Sequence, residues 1–255
     1  MFIVAQDQGF RPYMEDTYYV EENIINGVSL YAVFDGHGGS FVAEYLQNSV
    51  GSVFKELMRT NTMSIVEVIY TTLKVMTENV PISHGMHCGS TCLICVKYGD
   101  VLYFANSGDC RAIMNSGPNV IQVTHDHKPN SPSEYDRITG LGGMVTYNPN
   151  DAPRVMGNLA VSRSIGDFSL FPFVTWEPEG FVIQYNNNNN ILVMASDGLW
   201  DTMTNKEVMD IFISDIISSH GVVTQSNLEN SARKCIHIAK LKGSMDNITV
   251  LVKIL

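Results

Sequence analysis

Two apolar runs, Thr91 to Lys97 and Val101 to Asn106, are separated only by the turn Tyr98-Gly99-Asp100. A parallel crossover needs about a dozen residues or more, so a break this short forces the two strands to pair antiparallel. Further strand-like runs fall at Phe2 to Gln6, Thr17 to Val20, Leu30 to Phe34, Arg111 to Met114, Val182 to Tyr185, Ile191 to Ala195 and Ile248 to Lys253. Helical periodicity is confined to blocks between groups of these strands. From Ser40 the positions Phe41, Val42, Tyr45, Leu46, Val50, Phe54 and Leu57 recur every three or four residues, which predicts one buried helical stripe. Other helices are expected over Ser64 to about Asn79, from about Thr204, where TNKE reads as a capping box, and over about Leu228 to Leu241. This order predicts an α+β layered fold with sheets packed together and helices outside.

Two stretches break the pattern. The tract of asparagines at 186–190 lies between strand-like runs and reads as a hairpin loop. Residues 130–180, rich in Pro, Gly and Asn, are expected to form a small flap over the edge of the core.

Composition narrows the function. A chain of 255 residues with 45% hydrophobic content can bury a full core, and a single domain spanning 1–255 is expected. The net charge of −10 and the lack of any Lys/Arg run disfavour a nucleic-acid partner. No apolar stretch approaches a bilayer span and the amino terminus lacks a basic start, so a membrane is not expected, nor a signal peptide, regulatory extension or anchor. The expectation is a soluble monomer of the cytoplasm, with the nucleus left open. Cys88, Cys92 and Cys95, beside His84 and His87, suggest zinc, but residues three apart on a strand point to opposite faces, so Cys92 and Cys95 should diverge into core positions. No cysteine stands six before an arginine, which leaves no thiolate nucleophile for a phosphate ester.

The acids stand where these strands stop or start. Asp35 ends Leu30 to Phe34, Asp197 ends the run from Ile191, Asp246 opens the last strand, and Glu15 and Asp16 open the run from Thr17. If those ends share one rim, the carboxylates raise one another's pKa and call for a cation. Donors that are all oxygen favour a hard ion, Mg²⁺ or Mn²⁺. Gly36 and Gly198, directly after two of the acids, are read as allowing a tight turn and close approach of a carbonyl to an ion.

The motifs RPYMED from Arg11, FDGHGG from Phe34, GST from Gly89, SGDCR from Ser107, HDHKP from His125, LAVSRSIGD from Leu159, ASDGLWD from Ala195 and DNITV from Asp246 occur in that order. With them the chain resembles the metal-dependent serine/threonine protein phosphatases of type 2C, the PPM family, over essentially its whole length. The resemblance implies a four-layer αββα sandwich, two antiparallel sheets flanked by helices, and hydrolysis of phosphoserine and phosphothreonine in phosphoprotein substrates with two Mn²⁺ or Mg²⁺ ions. By matched position it implies that Asp35 bridges the ions, that Glu15 and the Gly36 carbonyl serve one, and that Asp197 and Asp246 serve the other. Asp16 would hold metal-bound water. A hydroxide shared by the ions would attack phosphorus, Arg11 would grip the phosphate, and His37 would protonate the leaving oxygen as general acid. Asp126 and Asp201 match positions of a third, weaker metal site. Asp109 with Arg111, and Arg163 with Asp167, are read as structural ion pairs, Asn247 as a support for its neighbour, and His125 and His127 as loop residues.

Two alternatives stand beside this reading. A binding module on the same fold would be expected had a bridging acid been replaced, yet Asp35, Asp197 and Asp246 are all present. A helical His-Asp phosphohydrolase would need its ligands on helices, whereas His125 and Asp126 precede a proline-broken segment.

Overall fold

The structure, a computed structural model, describes the whole chain except residues 61, 118, 150, 186–189 and 219–221. The expected asparagine loop therefore falls, save Asn190, outside the described residues. The chain begins with β1 (Phe2–Asp7), β2 (Thr17–Ile25), β3 (Val28–Phe34) and the two-residue β4 (Gly36–His37), followed by α1 (Phe41–Arg59), α2 (Ile65–Asn79) and a single turn, α3 (Ile82–Gly85). A second group of strands is β5 (Gly89–Ser90), β6 (Cys92–Tyr98), β7 (Val101–Ser107), β8 (Arg111–Ser116) and β9 (Asn119–Gln122). Then come α4 (Pro132–Gly140), β10 (Val145–Thr146), β11 (Arg154–Val155), β12 (Ile165–Gly166), β13 (Glu179–Gln184) and β14 (Ile191–Ala195). The chain closes with α5 (Asp197–Trp200), α6 (Asn205–Ser218), α7 (Gln225–Leu241) and β15 (Ile248–Ile254).

Two five-stranded sheets run in the orders β1-β15-β14-β8-β9 and β13-β7-β6-β3-β2. Every pairing in both is antiparallel, including Tyr98 opposite Val101 across the short turn. Strand alternation then makes the layers. On β3, Tyr31 and Val33 pack with Leu192, Met194 and Leu251 between the sheets, while Leu30, Ala32 and Phe34 turn to Val42 and Leu46 of α1 and Leu73 of α2. On β14, Val193 and Ala195 face Val208 and Phe212 of α6 and Leu228 and Ala232 of α7. The result is helices, sheet, sheet, helices, as expected. Cys95 lies in the layer between the sheets and Cys92 in the layer beneath α1; all five cysteines are free and buried.

The helix starts follow capping chemistry. Ser64 Oγ accepts from the Glu67 amide at 3.3 Å while Glu67 Oε2 accepts from the Ser64 amide at 2.7 Å. Thr204 and Glu207 repeat the arrangement, at 3.2 and 2.9 Å, before α6. Each such pair satisfies two amides that the first turn would leave free.

The flap region differs from the loop-like expectation in containing α4, which starts with Pro132 at its first turn. Its buried residues are Glu134 and Ile138, so the helix has no apolar stripe to read. Ile138 joins Val155 and Val174 in a small separate core. Glu134 accepts from Arg137 at 2.8 Å, from Arg163 at 2.6 Å and from Ser162 Oγ at 2.8 Å. Arg163 is thus paired with Glu134 and not with Asp167, and the expected Arg163–Asp167 bridge is not formed.

Candidate active site

Both sheets stop at one rim, where the strand-end acids meet. Asp35, Asp109 and Asp197 each bring a carboxylate oxygen within 4.8 Å of the others. Asp35 leaves β3 and is fixed by backbone and side chain of Thr91: its amide donates to Thr91 Oγ1 at 3.1 Å and its carbonyl accepts from the Thr91 amide at 2.9 Å. Asp197 opens α5 directly after β14. Asp109 follows β7 through Gly108, whose φ of +121° is open to glycine and closed to most other residues. The expected Asp109–Arg111 pair is not formed, because the chain bends at Gly108 and Asp109 and each side chain finds a partner elsewhere. Asp109 meets Lys128 at 3.3 Å, and Arg111 holds Asp126 with two bonds of 3.0 and 2.5 Å. An acid just past the end of an apolar run is the signal that marks Asp35 and Asp197, and Asp109, past Val101 to Asn106, carries it too, with its glycine before the acid instead of after it.

The other predicted residues surround this cluster. Asp16 is buried; its Oδ2 accepts from Ser196 Oγ at 2.7 Å and Thr249 Oγ1 at 2.8 Å, while Oδ1 has no partner. Glu15 Oε1 accepts from the Gly39 amide at 2.6 Å, and its own amide donates to Asn247 Oδ1 at 2.7 Å, so Asn247 braces Glu15 as well as its neighbour Asp246. Asp246 meets Arg11 at 2.6 Å. Arg11, Glu15, Asp35, His37, Asp109, Asp197 and Asp246 line one cleft of about 260 Å³, with Asp16 buried behind them, and Arg154 of β11 also borders it while its guanidinium pairs with Asp151 at 2.8 Å. Arg154 carried no role in the sequence reading. Asp126, expected at a third ion, has its carboxylate committed to Arg111, and Asp201, more exposed, meets Lys128 at 2.7 Å. His125 is an exposed loop residue, but His127 is buried, accepting from the Gly108 amide at 3.2 Å and facing Glu179 at 3.3 Å.

Gly36 and Gly198 have a different reason from the turn first assigned to them. Neither takes a positive φ. A Cβ on Gly36 would stand 2.4 Å from the Glu15 carbonyl, and one on Gly198 would stand 2.1 Å from the Asn247 carbonyl. Backbones must touch there for the acids to converge.

The electrostatics are those of a site built for cations. Burial, then the charges of Asp16, Asp197 and Asp109, push Asp35 well above the usual carboxylate range. Burial and the neighbouring Asp109 and Asp201 do the same to Asp197, with Lys128 opposing. Burial also lifts Asp16 to about 6 against the hydrogen bonds from Ser196 and Thr249. Acids in this state either hold protons or share positive charge. An all-oxygen donor set with a buried, partnerless carboxylate oxygen fits a hard divalent ion. For His37, burial would lower the imidazole pKa, but the Asp167 carboxylate at 2.6 Å outweighs it and the net shift is upward.

The comparisons agree with this geometry. A family model described as protein phosphatase 2C matches residues 2–248. Probable protein phosphatase 2C 59 of Oryza sativa subsp. japonica is 36% identical over 252 residues, covering 97% of this chain and 73% of the relative. Probable protein phosphatase 2C 45 of the same plant is 37% identical over 256 residues, covering 97% and 85%. Among solved structures, the serine-threonine phosphatase 2C from Toxoplasma gondii superposes with a TM-score of 0.82 at 20% identity, covering 98% of this chain and 93% of that one, a likeness of fold. With a family match running almost end to end over a sandwich whose rim gathers these acids, the chain belongs to the protein phosphatase 2C family.

Proposed function

We propose that this protein phosphatase removes phosphate from phosphoserine and phosphothreonine in proteins, using two Mn²⁺ or Mg²⁺ ions. The observation that carries the reading is the convergence of Asp35, Asp109 and Asp197 in the cleft that also holds Arg11 and His37. Asp35, Glu15, the Gly36 carbonyl, Asp197 and Asp246 are the proposed ligands, with Asp109 as a further oxygen donor. Divalent ions there would supply an acidified water and offset phosphoryl charge. Asp201, with its exposed carboxylate, is better suited to a third ion than Asp126, which would have to leave Arg111.

The chain's own groups do the rest. Arg11 brings a planar guanidinium fork to the cleft, a shape matched to phosphate oxygens, and Arg154, which also borders the cleft, would add a second on release from Asp151. The free Oδ1 of Asp16 accepts a hydrogen bond from the attacking water and orients it. His37 delivers a proton to the departing seryl oxygen, which leaves without a covalent enzyme intermediate. Phosphoproteins are the substrates, and the working state is a single chain in the cytoplasm. Among the described residues no helix is long and apolar enough to cross a membrane.

Purified protein should release phosphate from phosphoserine and phosphothreonine peptides only with Mn²⁺ or Mg²⁺, and a chelator should stop it reversibly. Turnover that survives exhaustive chelation, or none at any metal concentration, would overturn the proposal. Arg11→Ala should lower kcat/KM by about 10- to 100-fold, the scale of one or two hydrogen bonds to a charged group. Lysine at that position should recover only part, because it lacks the fork. Steady-state kinetics on one phosphopeptide decides both points.

A further inference from the structure

His37 sits in a structure of its own. β4, β5 and β12 form a three-stranded ribbon in the order β12-β5-β4, separate from the two large sheets. In its register His37 lies opposite Gly89, and Gly89 lies opposite Gly166. Asp167 follows at once, in a left-handed backbone conformation with φ of +49°, its amide bonded to the Cys88 carbonyl at 3.2 Å. The ribbon thereby brings the Asp167 carboxylate across Gly89 to the imidazole.

The contact is tight on every side. His37 Nε2 and Asp167 Oδ2 are 2.6 Å apart, and Ser164 Oγ donates to the same oxygen at 2.5 Å. Asp167 is 4% exposed. A Cβ on Gly89 would lie 2.0 Å from Asp167 Oδ2 and 2.7 Å from His37 Nε2, and one on Gly166 would lie 2.4 Å from the Cys88 carbonyl. Glycine is required at two places so that this one pair can meet. Arg163, the partner expected for Asp167, pairs with Glu134 instead.

We propose that Asp167 is a positioning residue: it holds His37 by Nε2 and so leaves Nδ1 as the atom that meets the leaving oxygen, an inference that rests on the phosphatase reading above. As the bond from phosphorus to the seryl oxygen breaks, its electron pair goes to that oxygen and the proton on Nδ1 follows. The imidazole is left neutral with its remaining proton on Nε2, still donated to Asp167. A buried carboxylate that fixes the tautomer and direction of an imidazole is a general device.

The test pairs ester kinetics with nitrogen-15 NMR of the histidine side chains, assigned with His37→Gln. In the metal-free wild type, neutral His37 should carry its proton on Nε2. Asp167→Ala should lower kcat on a phosphoserine peptide by about 10- to 100-fold, the effect typical of partners that orient a reacting group, with KM within about 2-fold. On p-nitrophenyl phosphate, whose leaving group needs little protonation, the loss should be under about 3-fold. Ser164→Ala, a milder change, should show the same preference for the peptide with a smaller loss. Asp167→Ala added to His37→Gln should cost little more than His37→Gln alone, because the two act as a unit. Equal slowing of both esters, full additivity with His37→Gln, or a proton on Nδ1 in the wild type would each overturn the proposal. An inactive wild type whose His37 carries the Nε2 proton would overturn the phosphatase reading while supporting the arrangement of His37. An active wild type with the Nδ1 proton would do the reverse.

Discussion

Asp35→Asn protein is expected to lose at least about three orders of magnitude of turnover and yet, in metal-free buffer above pH 7, to unfold at a higher temperature than its parent. The loss follows from removing the proposed bridging carboxylate, since metal stabilisation of a developing phosphoryl charge is worth several kcal/mol. The gain follows from the raised pKa values at the rim. Asp35, Asp197 and Asp109 are all shifted upward by burial first and by one another or their neighbours next, and Asp16 rises to about 6. A carboxylate whose folded pKa exceeds its unfolded one gives stability that is full below the unfolded value, about 3.8 for an aspartate, and is lost as pH rises through the folded value. For Asp16 alone that loss is on the order of 3 kcal/mol by pH 8. The corresponding fall in Tm is roughly 6 to 12 °C for a chain of this size.

His127 works against this at the acid end. Burial first, and Arg163 next, lower it to about 4, so its stability is lost as pH falls from about 6.5 toward that value. The wild type without metal should therefore be most stable in mildly acidic buffer and should weaken above it, and Mn²⁺ should restore most stability at the alkaline end. Thermal unfolding from pH 5.5 to 8.5, with chelator and with Mn²⁺, measures both trends. A metal-free Tm that is flat or rising above pH 6.5, or an Asp35→Asn variant less stable than its parent at pH 8, would show that the acids do not repel as argued.

The second large effect lies away from the metals. Glu134 is almost wholly buried, its side chain 1% exposed, between Arg137 and Arg163. Burial would raise its pKa, but hydrogen bonds from Arg163, Arg137 and Ser162 hold it down to about 2. Replacing it by alanine leaves two guanidinium groups facing each other without a counter-charge, which costs about 3–5 kcal/mol. A domain with a stability of about 5–15 kcal/mol would feel that as a large shift of the urea midpoint. Glu134→Gln should cost less, because its amide oxygen still accepts from one arginine. The sign of the pH effect is that of a depressed acid: the stabilisation is complete above about 4.5 and declines as pH falls through about 2. Urea unfolding at pH 7 decides the magnitude, and a change below about 1 kcal/mol for Glu134→Ala would mean that the two arginines relax into solvent. Limited proteolysis should also cut faster within 132–182 in the variant, since α4 is tied to the segment at Ser162 and Arg163 through this carboxylate.

These effects also mark where the amino-acid sequence is legible. The unbroken apolar run from Leu30 to Phe34 located β3 because its two faces meet two apolar layers. Glu15, Asp16, Asp35, Asp197 and Asp246 were readable because acids at the ends of apolar runs are conspicuous. What went unread is polar and buried. α4 turns a carboxylate inward, so its helical period carries no hydrophobic signal. Asp109 and Arg111 are close in the chain and invite pairing, whereas the bend at Gly108 and Asp109 gives each a partner from elsewhere. Asp167 reached His37 through the pairing of three two-residue strands, a register that no local pattern encodes.

The two sides of the cleft hang from different sheets. Asp35 and Asp109 extend β3 and β7 of one, whereas Asp197 and Asp246 adjoin β14 and β15 of the other. The gap across which they would share the proposed ions is therefore gauged by the thickness of hydrocarbon that Tyr31, Leu93, Met194 and Leu251 make between those sheets. Trimming one of these side chains would act like adjusting a caliper from its handle: ion affinity would drift although every proposed ligand residue was left unchanged.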